Sequence, residues 1–179
     1  MTEHIKGYRN PGDIEIKTLK FVSVAGQIID IGPIVVEMNI FQNLFEHYLQ
    51  CEIVLNDSLG IIQTLGNGRS DENGGFTGGE LLFISYRTKD EALPLRTHFF
   101  ALYEMSERVR VEEKSETYVM SGVSIEAYLS ASKKISKAYG TGGGNTIDKM
   151  MKSVVEEYVY NKTAKDIYDG YRAILNYNY

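Results

Sequence analysis

The sequence is poor in residues that carry chemistry. Cysteine occurs once in 179 residues, at Cys51, so no internal disulfide can form. Cys51 alternates with Ile53 and Leu55, the pattern of a core thiol, and a reducing compartment suits it. A catalytic thiol needs a histidine and an electropositive pocket; His47 is near in sequence but falls on the preceding element. Basic residues are the minority, 19 against 24 acidic, for a net charge of -5. That argues against a nucleic-acid module with a basic patch. The one local basic cluster, Lys133, Lys134 and Lys137, reads as a solvated helix face. No run approaches the ~18 apolar residues that span a bilayer, and Met1 to Lys6 has no apolar core like that of a signal peptide. The expectation is a soluble protein with no membrane insertion and no secretory signal.

Metal and nucleotide chemistry are equally thin. His4, His47 and His98 are far apart and form no His-x-x-x-His pair, so metal binding has no support in the sequence. Asp71, Asn73 and Gly74 lack the third ligand and the terminal bidentate Glu of a calcium loop. The glycine run 140–144 continues as Gly144-Asn145-Thr146, without the lysine that a phosphate-binding loop needs, and reads as a helix–helix link. Glu112-Glu113 and Glu156-Glu157 are adjacent in sequence, so their side chains diverge and make poor acid–base pairs. His98 precedes two phenylalanines and reads as a structural histidine. No Gly-x-Ser-x-Gly elbow occurs. The expected sets of catalytic, cofactor-binding and metal-binding residues are therefore all empty.

What is present is pattern. Hydrophobic residues make up 43% and charged residues 24%, enough to bury a core. Thirteen tyrosines and seven phenylalanines, with no tryptophan, fit either broad protein–protein contacts or aromatic-rich β-structure. Ile14 and Ile16 give way to Leu19 and Phe21, a parity switch that predicts a bulge near Lys17-Thr18 or a strand buried on both faces. Ile28 to Ile31 is a short apolar run, and Gly32-Pro33 kinks it, favouring an edge or a bulge. Ile34, Val36, Met38 and Ile40 alternate as a strand. Phe41, Leu44, Phe45, Tyr48 and Leu49 then share one face of an expected short helix. Cys51 to Leu55 is the next strand, followed by Asp57-Ser58, a short apolar turn (Leu59, Ile62, Leu65) and the strand Leu81 to Tyr86.

Residues 66–79 form a polar, glycine-rich loop, long for a compact domain, whose one large apolar residue, Phe76, either anchors on a partner or folds back on its own sheet. Thr97 to Val111 and Thr117 to Val123 read as a charged-tip hairpin. From Ser124 the period is helical: Ile125, Tyr128, Leu129, Ser132 and Ile135 share a face. Asn145 with Asp148 caps a stripe of Ile147, Met150, Met151, Val154, Val155 and Tyr158. Thr163 and Asp166 repeat the cap before Ile167, Tyr168, Tyr171, Ile174 and Leu175. The expected organisation is α+β: a β domain over residues 1–124 and the helical start of a second over 125–179.

The string from Met38 to Gly60, a strand running into a Phe-rich turn and a second strand ending in Asp57-Ser58, resembles the N-terminal signature of baseplate hub proteins from contractile-tailed bacteriophages. Gly66 and Gly79-Glu80-Leu81-Leu82-Phe83-Ile84 match its next elements. Phe99 to Ser106 and Tyr118 to Ser124 resemble its following hairpin, and Ile135 to Tyr139 its next domain. The resemblance spans most of residues 14 to 160, with a longer 66–79 loop and a shorter helical part than the family pattern. It implies a tail-tube-like antiparallel β-barrel or sandwich. Its role would be structural and not enzymatic: three chains forming a ring that joins the tail tube to the central spike and leaves a channel for DNA, which passes without specific binding. The implied partners are copies of itself, the tube or tube-initiator protein, the spike and the baseplate wedge proteins. The implied location is the virion tail baseplate, assembled in the bacterial host cytoplasm. Two other readings stay open: a different tail-tube-fold component, such as a tube initiator or injection-system hub, and a small α+β enzyme or ligand-binding domain with 66–79 as a lid.

Overall fold

A computed structural model describes residues 14–24, 26–58, 60–61, 75–88, 94–112, 115–131, 133–140 and 146–159. The chain divides into two compact units, Met1–Ile125 and Glu126–Tyr179. The first holds a single antiparallel sheet of seven strands: β1 (Ile14–Val22), β2 (Ile28–Asp30), β3 (Val35–Gln42), β4 (Leu49–Asp57), β5 (Leu81–Thr88), β6 (Arg96–Glu112) and β7 (Ser115–Ser124). Their spatial order is β2-β1-β5-β6-β7-β4-β3, a half-barrel. The general α+β class is as expected.

Alternation builds one continuous core face. Cys51, Ile53 and Leu55 on β4 stand opposite Gly122, Met120 and Tyr118 on β7. Phe100 and Leu102 on β6 join Leu82 and Ile84 on β5, and these in turn pair with Phe21 and Leu19 on β1. All of these except Gly122 belong to the buried core, together with Ile31, Ile34 and Ile61. Strand β5 is buried on both faces from Leu81 to Ser85, which explains its unbroken apolar sequence. Gly122 is required by close approach: a Cβ there would stand 2.9 Å from Leu102 Cδ2 and 3.0 Å from Cys51 Sγ.

The expected bulge is present. Ile16 pairs with Tyr86 and Thr18 with Ser85, so Lys17 is the extra residue. It puts Ile14 and Ile16 on the same side of the sheet as Leu19 and Phe21, which absorbs the parity switch. Gly32–Ile34 forms a 3-10 turn with proline in its first turn, linking the two strands that end the sheet, β2 and β3. Phe76 is partly buried against the core, so the end of the glycine-rich stretch folds back on its own sheet. The turn at Leu59, Ile62 and Leu65 and residues 66–74 lie outside the described residues.

Two helical expectations fail. Phe41 and Gln42 belong to β3, and Asn43 to Tyr48 form a turn, not a helix. The Asn43 side-chain oxygen accepts the Phe45 N–H at 3.1 Å, and the Asn43 carbonyl accepts the Glu46 N–H at 3.3 Å. This local Asn bonding competes with helix and wins because no buried surface rewards the helical face.

The second unit begins beside the composition change at Ser124. Helix α1 (Ile125–Ala131) is shorter than its apolar period, and 133–140 has no regular structure. Lys133 and Lys134 are therefore not on a helix face, and Ile135 is exposed. Helix α2 (Ile147–Val154) starts after Thr146, one residue later than expected, and continues into a π turn at Val155–Val159. The Thr146 side chain holds the Asp148 carboxyl below its ordinary range by hydrogen bonding. The cap expected at Thr163 and the stripe after it lie outside the described residues.

Candidate interaction surface

The sequence singled out no catalytic set, and the polar groups of the described residues are spread over both units. Cys51 is buried and its thiol is pushed up to about 12 by burial, so it is not a nucleophile near neutrality. His47 sits on the exposed turn, edge-on to Tyr48, while Cys51 faces the core. His98 lies between the Tyr86 and Phe100 rings, 5.9 and 6.0 Å from their centroids. Glu156 and Glu157 diverge as expected: Glu156 faces Lys152 at 3.8 Å, and Glu157 binds Lys137. Lys137 also donates to Ser153 Oγ at 3.0 Å and lies 5.5 Å from the Tyr139 ring centroid. The depression beside α2, lined by Lys149, Lys152, Ser153, Glu156 and Glu157, is an open surface of mixed charge. Among the described residues no group of three or more His, Cys, Asp or Glu could hold a metal ion.

The buried polar groups fasten the sheet. Tyr118 donates from its hydroxyl to Asp57 Oδ2 at 3.2 Å, joining β7 to β4. Burial, then the Asp57 charge, holds the Tyr118 phenol above its ordinary value. Ser115 Oγ donates to Asn56 Oδ1 in the neighbouring pair. Glu80 is buried where the chain enters β5; its Oε1 accepts both the Thr77 N–H and the Thr77 hydroxyl at 2.8 Å. Gly78 and Gly79 have φ of +84° and +94°, the left-handed conformation this tight entry needs. Glu80 Oε2 has no hydrogen-bond partner in the structure.

What stands out instead is unsatisfied apolar surface. Leu44 and Phe45 at the tip of the β3–β4 hairpin are 92% and 93% exposed. Val36, at 66%, and Phe41, at 47%, extend this surface along β3, whose outer side has no paired strand among the described residues. In the second unit Ile147 and Met151 of α2 are exposed as well, so the expected stripe is present but not buried there. The helical reading of 41–49 hid the tip. Asn43, a turn-forming residue between two alternating runs, was the signal that would have exposed it.

No family model matches the sequence, and no curated protein matches it.

Proposed function

We propose that this chain is a structural subunit of the baseplate hub of a contractile phage tail. It acts by burying surface against copies of itself and its neighbours, forming a ring between tail tube and central spike with a channel for DNA. The observation that carries this reading is the half-barrel itself. Among the described residues its lateral strands β2 and β3 are unpaired on their outer sides, and large apolar side chains project from the β3–β4 tip. An open sheet with exposed apolar groups is stable to aggregation only when a partner or a guard covers it, and ring closure does this for every subunit at once. The pattern from Met38 to Gly60 and the hairpin strings after it support the same assignment. The acidic balance of the chain suits a lumen that repels the phosphate backbone.

Light scattering and negative-stain microscopy of the purified chain at high concentration test the reading. Rings are the expected outcome, and charge mapping on their reconstruction should give a bore that is not basic. Particles that stay monomeric or strictly two-fold at every concentration count against it, and a strongly basic bore removes the lumen argument.

A further inference from the structure

Helix α2 turns an apolar stripe outward. Ile147, Met151 and Val155 fall at i, i+4 and i+8 and are all exposed, with the partly buried Val154 beside them. Residues 133–140 take the adjoining flank of the helix and leave the stripe open. Tyr139 donates from its hydroxyl to the Met150 carbonyl at 3.3 Å, and Lys137 donates to Ser153 Oγ at 3.0 Å. The sequence holds a counterpart further on. Ile167, Tyr171 and Leu175 repeat the i, i+4, i+8 spacing, with Tyr168 beside Ile167 as Val154 stands beside Val155. Read backwards, the second set reproduces the first. Ile147 with Leu175, Met151 with Tyr171, Val154 with Tyr168 and Val155 with Ile167 are all symmetric about Asn161. Two antiparallel helices that face each other require this mirror order.

We infer that the exposed stripe of α2 is the seat of this chain's own C-terminal segment, Thr163 to Leu175, which closes on it as the second arm of a helical hairpin. The helical period alone does not dictate where the mirror centre falls. It falls in the middle of Tyr160-Asn161-Lys162, between the last described helical residue, Val159, and the cap pattern of Thr163 and Asp166. A link of that length joins antiparallel helices. Residues 160–179 lie outside the described residues, and they belong to the same compact unit as α2, Glu126–Tyr179. Charge agrees with the pairing. At the flanks of the seam Asp148 falls opposite Ile174 and Met150 opposite Arg172, so no like charges meet. A second copy is the competing occupant. The short link holds the tethered segment at a roughly millimolar effective concentration, which a separate chain must exceed to displace it. This goes beyond the ring reading and does not rest on it, because the contact lies within one chain.

Paired cysteines in the full-length chain test the closure. Native Cys51 is buried and its thiol is pushed up to about 12, which keeps it out of the exchange. Helices packed about 8–10 Å apart bring facing side chains within disulfide reach. Met151→Cys/Tyr171→Cys should therefore close under mild oxidation into a disulfide within one chain, read by mass spectrometry, with a yield independent of protein concentration. Val154→Cys/Tyr168→Cys should do the same nearer the link. Met151→Cys/Asp169→Cys, with Asp169 on the far side of the second arm, should close at least about tenfold less. Gly170→Ala leaves the seat untouched and needs no cross-link; it should deepen the helical circular dichroism and raise the unfolding midpoint. Disulfides that join two chains and grow with concentration give the seat to a second copy and overturn the proposal. No closure in either seam pair, equal closure in the Asp169 control, or no gain of helical signal from Gly170→Ala overturns it as well.

Discussion

The β6–β7 and β3–β4 hairpins lie in one sheet and answer the same physical problem in opposite ways. The first is long, and past Leu102 its outer edge is broken at Tyr103, at Glu107-Arg108 and at Val111. Glu107 has φ of +52°, a left-handed kink at one of those breaks. The Arg108 guanidinium spans the hairpin to Glu116, and Val109 and Val111 alternate with arginines. The second hairpin keeps a straight edge from Glu37 and ends in Leu44 and Phe45 with almost nothing over them. Inward, the two share a core through Met120 and Ile53. The difference teaches that one sheet can set irregular backbone and charge along one hairpin and regular backbone with exposed apolar side chains along another.

The comparison can be broken most decisively by truncation. Phe100→Ala, at the base of the β6–β7 hairpin, should cost about 3–5 kcal/mol in urea unfolding. Phe45→Ala, an aromatic of the same size at the β3–β4 tip, should cost less than about 0.5 kcal/mol and instead weaken association. A large loss of monomer stability from Phe45→Ala would mean that the tip is part of the fold. Alkaline pH probes the shared core. Cys51 is raised from 9.0 to about 12, and Tyr118 is also raised. The native state thus holds protons that the unfolded chain releases. Their stabilisation is complete below pH 9 and is lost as pH rises through 9 towards 12. The urea midpoint should fall over this range, and Cys51→Ala should flatten the first part of the fall.

Gly122→Val sharpens the same contact from the β7 side. The added atoms meet Leu102, Cys51 and the Ala101 carbonyl, and the expected cost is about 1–3 kcal/mol in thermal unfolding. Smallest is Arg108→Ala. Its ion pair with Glu116 is largely solvated, so stability should change by no more than about 1 kcal/mol, with the difference shrinking in salt. If the bends along β6 guard its edge, this variant stays unassociated through that edge, because the breaks in register remain.

Much of the sheet was legible because burial on one face writes a period of two into the chain. The alternation of Cys51, Ile53 and Leu55, the parity switch at Lys17 and the kink at Gly32-Pro33 each map onto a strand, a bulge and a turn between the two outermost strands. Of the two readings of Phe76, the return to its own sheet is the one found. The helix at 41–49 was misread because a helical period needs only apolar residues at i, i+3 and i+4, and exposed ones satisfy the count as well as buried ones. Lys133 to Lys137 failed for a related reason: the stripe continued to Ile135, but α1 ends at Ala131 and leaves Ile135 exposed. Of the interaction surface only the tip carried a sequence signal, the turn residue Asn43. Whether an edge is guarded depends on which strands flank it, and neighbours such as β4 and β7 are far apart in sequence.

The extra residue at Lys17 gives the chain a tolerance to editing that its neighbours lack. Removing Lys17 would leave Ile14, Ile16, Leu19 and Phe21 in strict alternation, all still turned to the side they occupy now. Removing a residue from the unbroken run between Glu37 and Gln42 would turn half of that strand inside out. Single-residue deletions along the first unit should therefore be survivable at its kinks and ruinous between them, and a deletion scan would trace the bends without any coordinates.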